Sequence, residues 1–97
     1  MPRPRRIRFV GCMPKAVYFK PAGIKLRQLN EVILSVEEFE AIRLKDFKGL
    51  SHEESAEKMV ISQPTFHRLL LVARKKVADA LINGKALKIE GGNFKKY

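Results

Sequence analysis

Gln63, Thr65, His67 and Arg68 place an amide, a hydroxyl, an imidazole and a guanidinium on one short stretch of chain. These are groups that hydrogen-bond to nucleic acid. A guanidinium pairs with guanine O6 and N7 and a glutamine amide with adenine N6 and N7, each worth about 1 to 3 kcal/mol of base discrimination. Ser62 and Thr65 are suited to phosphate at the positive end of a helix, with Pro64 between them. Leu71 can meet a thymine methyl, and Arg74, Lys75 and Lys76 are spaced to follow the phosphate backbone further along. No glycine-rich phosphate loop, nucleophile motif or paired-carboxylate arrangement is present, so no enzyme activity and no cofactor are expected. His52 and His67 stand far apart in sequence without a cysteine or carboxylate pattern, so no metal site is expected either. Cys12 is the only cysteine, which rules out an intrachain disulfide and fits a reducing cytoplasm. It reads as a buried or partly buried small side chain.

The charge points the same way. The chain has 97 residues and a net charge of +10. Residues 1–27 hold eight basic side chains and no acidic ones, residues 28–59 carry a net −4, and residues 60–97 a net +6. A polyanion would therefore be met by the two ends, with the middle turned away. Arg3, Arg5, Arg6 and Arg8, interrupted by Pro2 and Pro4, form a stiff basic arm suited to a minor groove. No apolar run approaches the roughly 18 to 20 residues of a membrane span. The charged start lacks the apolar segment of a secretory signal, so a cytoplasmic location and no membrane partner are expected.

A single domain over 1–97 is expected, mainly α with short β segments. Residues 1–30 form the basic arm and short strands, with candidates at 7–10 and 16–19 and a turn at Pro21-Ala22-Gly23. Residues 31–83 form the helical part. Ser35 with Glu38 and Ser51 with Glu54 are capping boxes, opening one helix from Val36 to about Asp46 and another to about Met59. Gly49 ends the first, and Ser62 caps a third helix running to about Ile82, with Pro64 tolerated in its first turn. Val36, Phe39, Ile42 and Phe47 share one face of the first helix, leaving Glu37, Glu38 and Glu40 as an exposed face. On the third helix Phe66, Leu69, Leu70, Ala73, Val77 and Leu81 form the core face. Gln63, His67, Arg68, Leu71 and Lys75 lie on or near the opposite one. Residues 84–97 hold a strand at 86–90, which could pair with 7–10 within one chain or across a dimer, and a basic tail. Only Val60 and Ile61 separate the second helix from the Ser62 cap. That short connection, with small Ala56, has the form of a helix-turn-helix.

From Leu34 to Leu81 the chain resembles region four of bacterial sigma factors. The features shared are the acidic first helix, Gly49-Leu50-Ser51-x-Glu53-Glu54-x-Ala56, the Ile61-Ser62 turn and Ala73-Arg74-Lys75-Lys76. Over its whole length it is similar to a small prokaryotic family of predicted DNA-binding proteins with a sigma-like helix-turn-helix. That match rests on Pro2-Arg3-Pro4-Arg5, Tyr18-Phe19-Lys20-Pro21-Ala22-Gly23, Gly84-Lys85-Ala86-Leu87 and Ile89-Glu90-Gly91-Gly92-Asn93. The resemblance implies three helices and a transcription regulator on double-stranded DNA that reads the major groove with the helix beginning at Ser62. Val60 stands where that motif usually has glycine, so the turn must avoid a positive φ or carry strain. A homodimer is the expected assembly, because specific sites usually take two modules this small. The alternatives are an RNA- or ribosome-associated protein, or an RNA polymerase interaction module working through its acidic first helix.

Overall fold

A computed structural model describes residues 7–25 and 28–96; Arg3, Arg5 and Arg6 lie outside them. The element order is β1 (Arg8–Val10), β2 (Tyr18–Phe19), β3 (Glu31–Leu34), α1 (Val36–Ile42) with a π-helical turn at Arg43–Phe47, α2 (His52–Met59), α3 (Gln63–Asn83), β4 (Ala86–Ile89) and β5 (Phe94–Lys96). Three helices and short strands make this a small α-rich fold.

Each helix starts where its cap dictates. Glu38 N donates to Ser35 Oγ at 3.1 Å while Ser35 N donates to Glu38 Oε1 at 2.8 Å. Ser51 and Glu54 repeat the exchange at 3.0 and 3.2 Å. Thr65 N donates to Ser62 Oγ at the head of α3. Each such cap contributes about 1 kcal/mol. Gly49 takes φ 75° after the π turn, and Gly84 closes α3 in the left-handed region at φ 64°.

Two apolar clusters hold the molecule. Ala41, Leu44, Ala56, Met59, Phe66 and Leu70 join α1, the π turn, α2 and the first half of α3. Val10, Leu34, Val36, Ala73 and Ile89 join the strands to the middle of α3. Two large apolar residues expected inside lie outside. Phe47 is 83% exposed because the Arg43–Phe47 turn is π-helical, with Lys48 N bonding Arg43 O five residues back. That wider turn rotates Phe47 off the α1 core face and leaves Leu44 to fill it. Leu81 is 78% exposed, and Ala80 is buried in its place, continuing the seven-residue spacing of Phe66 and Ala73.

The strands pair differently from expectation. Strand β4 does not join β1; it lies between β2, antiparallel, and β3, parallel, with Tyr18 opposite Lys88 and Leu34 opposite Ile89. Strand β1 instead pairs in parallel with β5, Arg8 opposite Phe94. Parallel neighbours need a crossover, and the whole helical segment from Val36 to Asn83 is the crossover between β3 and β4. Cys12 is exposed rather than buried. No helix among the described residues is long and apolar enough to cross a membrane.

Candidate nucleic-acid interface

The outer face of α3 exists because the inner face is fully committed. Phe66, Leu70 and Ala73 have no solvent exposure, so the helix cannot roll about its axis. Gln63, Pro64, His67, Arg68, Leu71, Arg74 and Lys75 are all exposed on the far side, and Thr65 is half-buried. The first turn is further tied by the Ser62 hydroxyl, which donates to Thr65 Oγ1 at 2.8 Å, and by Arg68 Nη2, which reaches the same oxygen at 3.4 Å.

The connection into α3 is tight and strained. Val60 adopts φ 56°, ψ 48°, the left-handed region that a β-branched residue seldom enters. This conformation lets Ile61 N bond back to Ala56 O at 3.1 Å, the i→i−5 closure typical behind a left-handed residue. Val60 therefore takes the glycine-like conformation rather than avoiding it.

The basic side chains divide into two groups. Arg68 and Lys75 form no ion pair among the described residues. Arg74 meets the Asp46 carboxylate through two hydrogen bonds, from Nε at 3.0 Å and Nη2 at 2.5 Å. These bonds, more than the nearby charges, hold the Asp46 carboxyl below the usual carboxylate range, against a smaller opposing effect of desolvation. Lys76 Nζ lies 2.7 Å from Glu38 Oε1. Arg8, expected in a free arm, belongs to β1, and its Nη1 lies 2.8 Å from Glu37 Oε2. It also lines a concavity with Ile61, Ser62 and Thr65, so the chain enters the fold beside the start of α3.

The acidic first helix faces inward. Glu37, Glu38 and Glu40 are buried, not an exposed face. Glu40 accepts from Gly11 N at 2.7 Å and from both Nε and Nη2 of Arg43 at 2.6 and 2.9 Å. Glu37 accepts from Asn93 N at 2.7 Å. These carboxylates bind the segments before β2 and after β4 to the helices. The only sequence signal for that role was an acidic run between two basic ends.

His52 and His67 are brought together although 15 residues separate them: His52 Nε2 and His67 Nδ1 lie 3.3 Å apart. His52, at the start of α2, is held edge-on against Phe66 with ring centroids 5.7 Å apart.

The whole chain, residues 1–97, matches the family described as "Protein of unknown function DUF134". It is similar to a UPF0251 protein of Caldanaerobacter subterraneus subsp. tengcongensis, 59% identical over all 97 residues and 82% of that protein's length. A UPF0251 protein of Pelotomaculum thermopropionicum is 61% identical over 98% of this chain and 72% of its own. A third, from Dehalococcoides mccartyi, is 58% identical over 97% and 80%. No solved structure matches the chain. A match across its full length, with relatives this similar, makes the chain a member of the DUF134/UPF0251 family.

Proposed function

We propose that this protein is a sequence-specific duplex DNA-binding protein, a transcription regulator in which α2 and α3 form a helix-turn-helix and α3 enters the major groove. The observation that carries the reading is the α3 outer face. Gln63, His67, Arg68, Leu71 and Lys75 stand exposed on a helix locked by Phe66, Leu70 and Ala73, directly after a tight turn. Ordered base readers need such rigid presentation, because discrimination depends on fixed hydrogen-bond geometry. Arg68 and Lys75, in no ion pair among the described residues, add to it, since a cation already paired with a carboxylate gives little to a phosphate. Ser62 and Thr65 sit where a helix N-terminus receives an anion. Arg3, Arg5 and Arg6 precede an entry point beside that same terminus, which fits a minor-groove arm.

Selection of bound sequences from a random duplex library tests the reading, with affinity measured at two salt concentrations. A recovered motif supports specific DNA recognition. Binding without a motif that collapses steeply with salt leaves only a basic surface, and stronger binding to structured RNA in competition would overturn the duplex assignment.

A further inference from the structure

We propose that His52 and His67 form a two-histidine site for a divalent late transition-metal ion, of the zinc, copper or nickel class. The proposal stands on the geometry of the two rings and does not depend on DNA binding. His52 Nε2 and His67 Nδ1 face each other at 3.3 Å. Two imidazole nitrogens at the usual 2.0–2.1 Å from a tetrahedral ion lie about 3.4 Å apart, so the pair already has the separation of adjacent ligands. The rings are tilted by 43°, with centroids 5.4 Å apart, and present edges rather than stacked faces.

Preorganisation supports the site. His52 is half-buried in the first turn of α2 and fixed edge-on to Phe66, a fully buried residue of α3. His67 projects from α3 immediately after Phe66, so both ligands are referred to one rigid point in the core. His67 is exposed, which leaves the other coordination positions to water. In the free protein one ring donates its N–H to the other. On metal binding the donating ring carries its proton on its other nitrogen, so both facing nitrogens present lone pairs to the ion. Imidazole suits zinc, copper and nickel and not the hard alkaline-earth ions. Bound there, the ion would cross-link α2 to α3.

The test is calorimetric titration of the full chain carrying Cys12→Ser, which removes the thiol as a competing ligand, with Ni²⁺, Cu²⁺ and Mg²⁺ in a non-coordinating buffer. The expected result is one Ni²⁺ or Cu²⁺ per chain and no Mg²⁺. The electron paramagnetic resonance spectrum of the Cu²⁺ form should carry hyperfine structure from two imidazole nitrogens. Ni²⁺ should raise the melting temperature of the Cys12→Ser protein. His67→Ala, at an exposed position, should weaken binding at least about tenfold, by analogy with losses at other ligand shells, and abolish that rise. His52→Gln should do the same. Equal binding and an unchanged Cu²⁺ spectrum in His67→Ala would overturn the proposal, as would absence of binding by the Cys12→Ser protein.

Discussion

At the scale of single residues, the strained turn and the exposed reading face make separate predictions. Val60 holds a left-handed conformation that costs a β-branched residue roughly 1–3 kcal/mol. Val60→Gly removes that strain but loses about 0.5–1 kcal/mol through the greater freedom of the unfolded chain. The expected net gain is about 1 kcal/mol, read as a higher denaturation midpoint. Gly92 is the opposite case. It has φ 111°, and a Cβ there would lie 2.6 Å from Glu37 Oε1, the atom that accepts from Asn93 N. Gly92→Ala should therefore destabilise by roughly 1–3 kcal/mol. On α3, Arg68→Ala should weaken the selected DNA site by about 1–3 kcal/mol and relax one base position, while Lys75→Ala weakens all sequences alike. Quantitative binding to the selected site and its single-base variants separates the two effects. Wild-type binding by both would dismiss the reading-face assignment.

At the scale of elements, α1 and the π turn act as a polar clamp. Glu40 is completely buried and accepts from Arg43 and Gly11 N, so Glu40→Ala should cost about 1–3 kcal/mol, the usual penalty for removing the acceptor of a buried donor such as Gly11 N. Chemical denaturation measures this. Asp46 ties the same turn to Arg74 on α3, and its folded-state pKa is lowered, first by the hydrogen bonds from Arg74. The stabilisation is therefore present above the unfolded carboxyl's pKa and disappears as pH falls through the lower folded value. Since both side chains are more than a third exposed, the effect is small. In Asp46→Asn the acid limb of the stability profile should be shallower than in wild type, while the profile near neutral pH keeps its shape. The caps of these helices were legible because a capping box lies within four residues. Phe47 was misplaced because periodicity assumes an unbroken α-helix, and nothing local marks the π turn.

At the scale of the whole molecule, Val72, Leu81 and Ile82 leave apolar surface along the far half of α3, with Ile82 82% exposed. A second copy would cover it if the proposed DNA binding takes place on paired half-sites. Ile82→Lys should shift sedimentation toward the monomer while leaving thermal stability of the monomer unchanged, because the side chain is already in solvent. An unchanged sedimentation profile would remove this face from the assembly.

The amino-acid order alone determined the three helices, their starts at Ser35, Ser51 and Ser62, and the outward placement of Gln63, His67, Arg68 and Lys75, but not the end of α1 at Ile42. All of these follow from interactions within one or two turns, or from the period of α3. Tertiary structure decided which strands pair, because β1, β2 and β5 are two or three residues long and carry too little pattern to select a neighbour. It also turned the acidic face of α1 inward. Glu40 finds Gly11 at a separation of 29 residues and Glu37 finds Asn93 at 56, and a buried carboxylate is tolerated only where such partners converge. The meeting of His52 with His67 has the same origin. Their contact depends on the angle between α2 and α3, set by Met59, Phe66 and the left-handed Val60, and a side chain's type and position in the chain do not encode that angle locally.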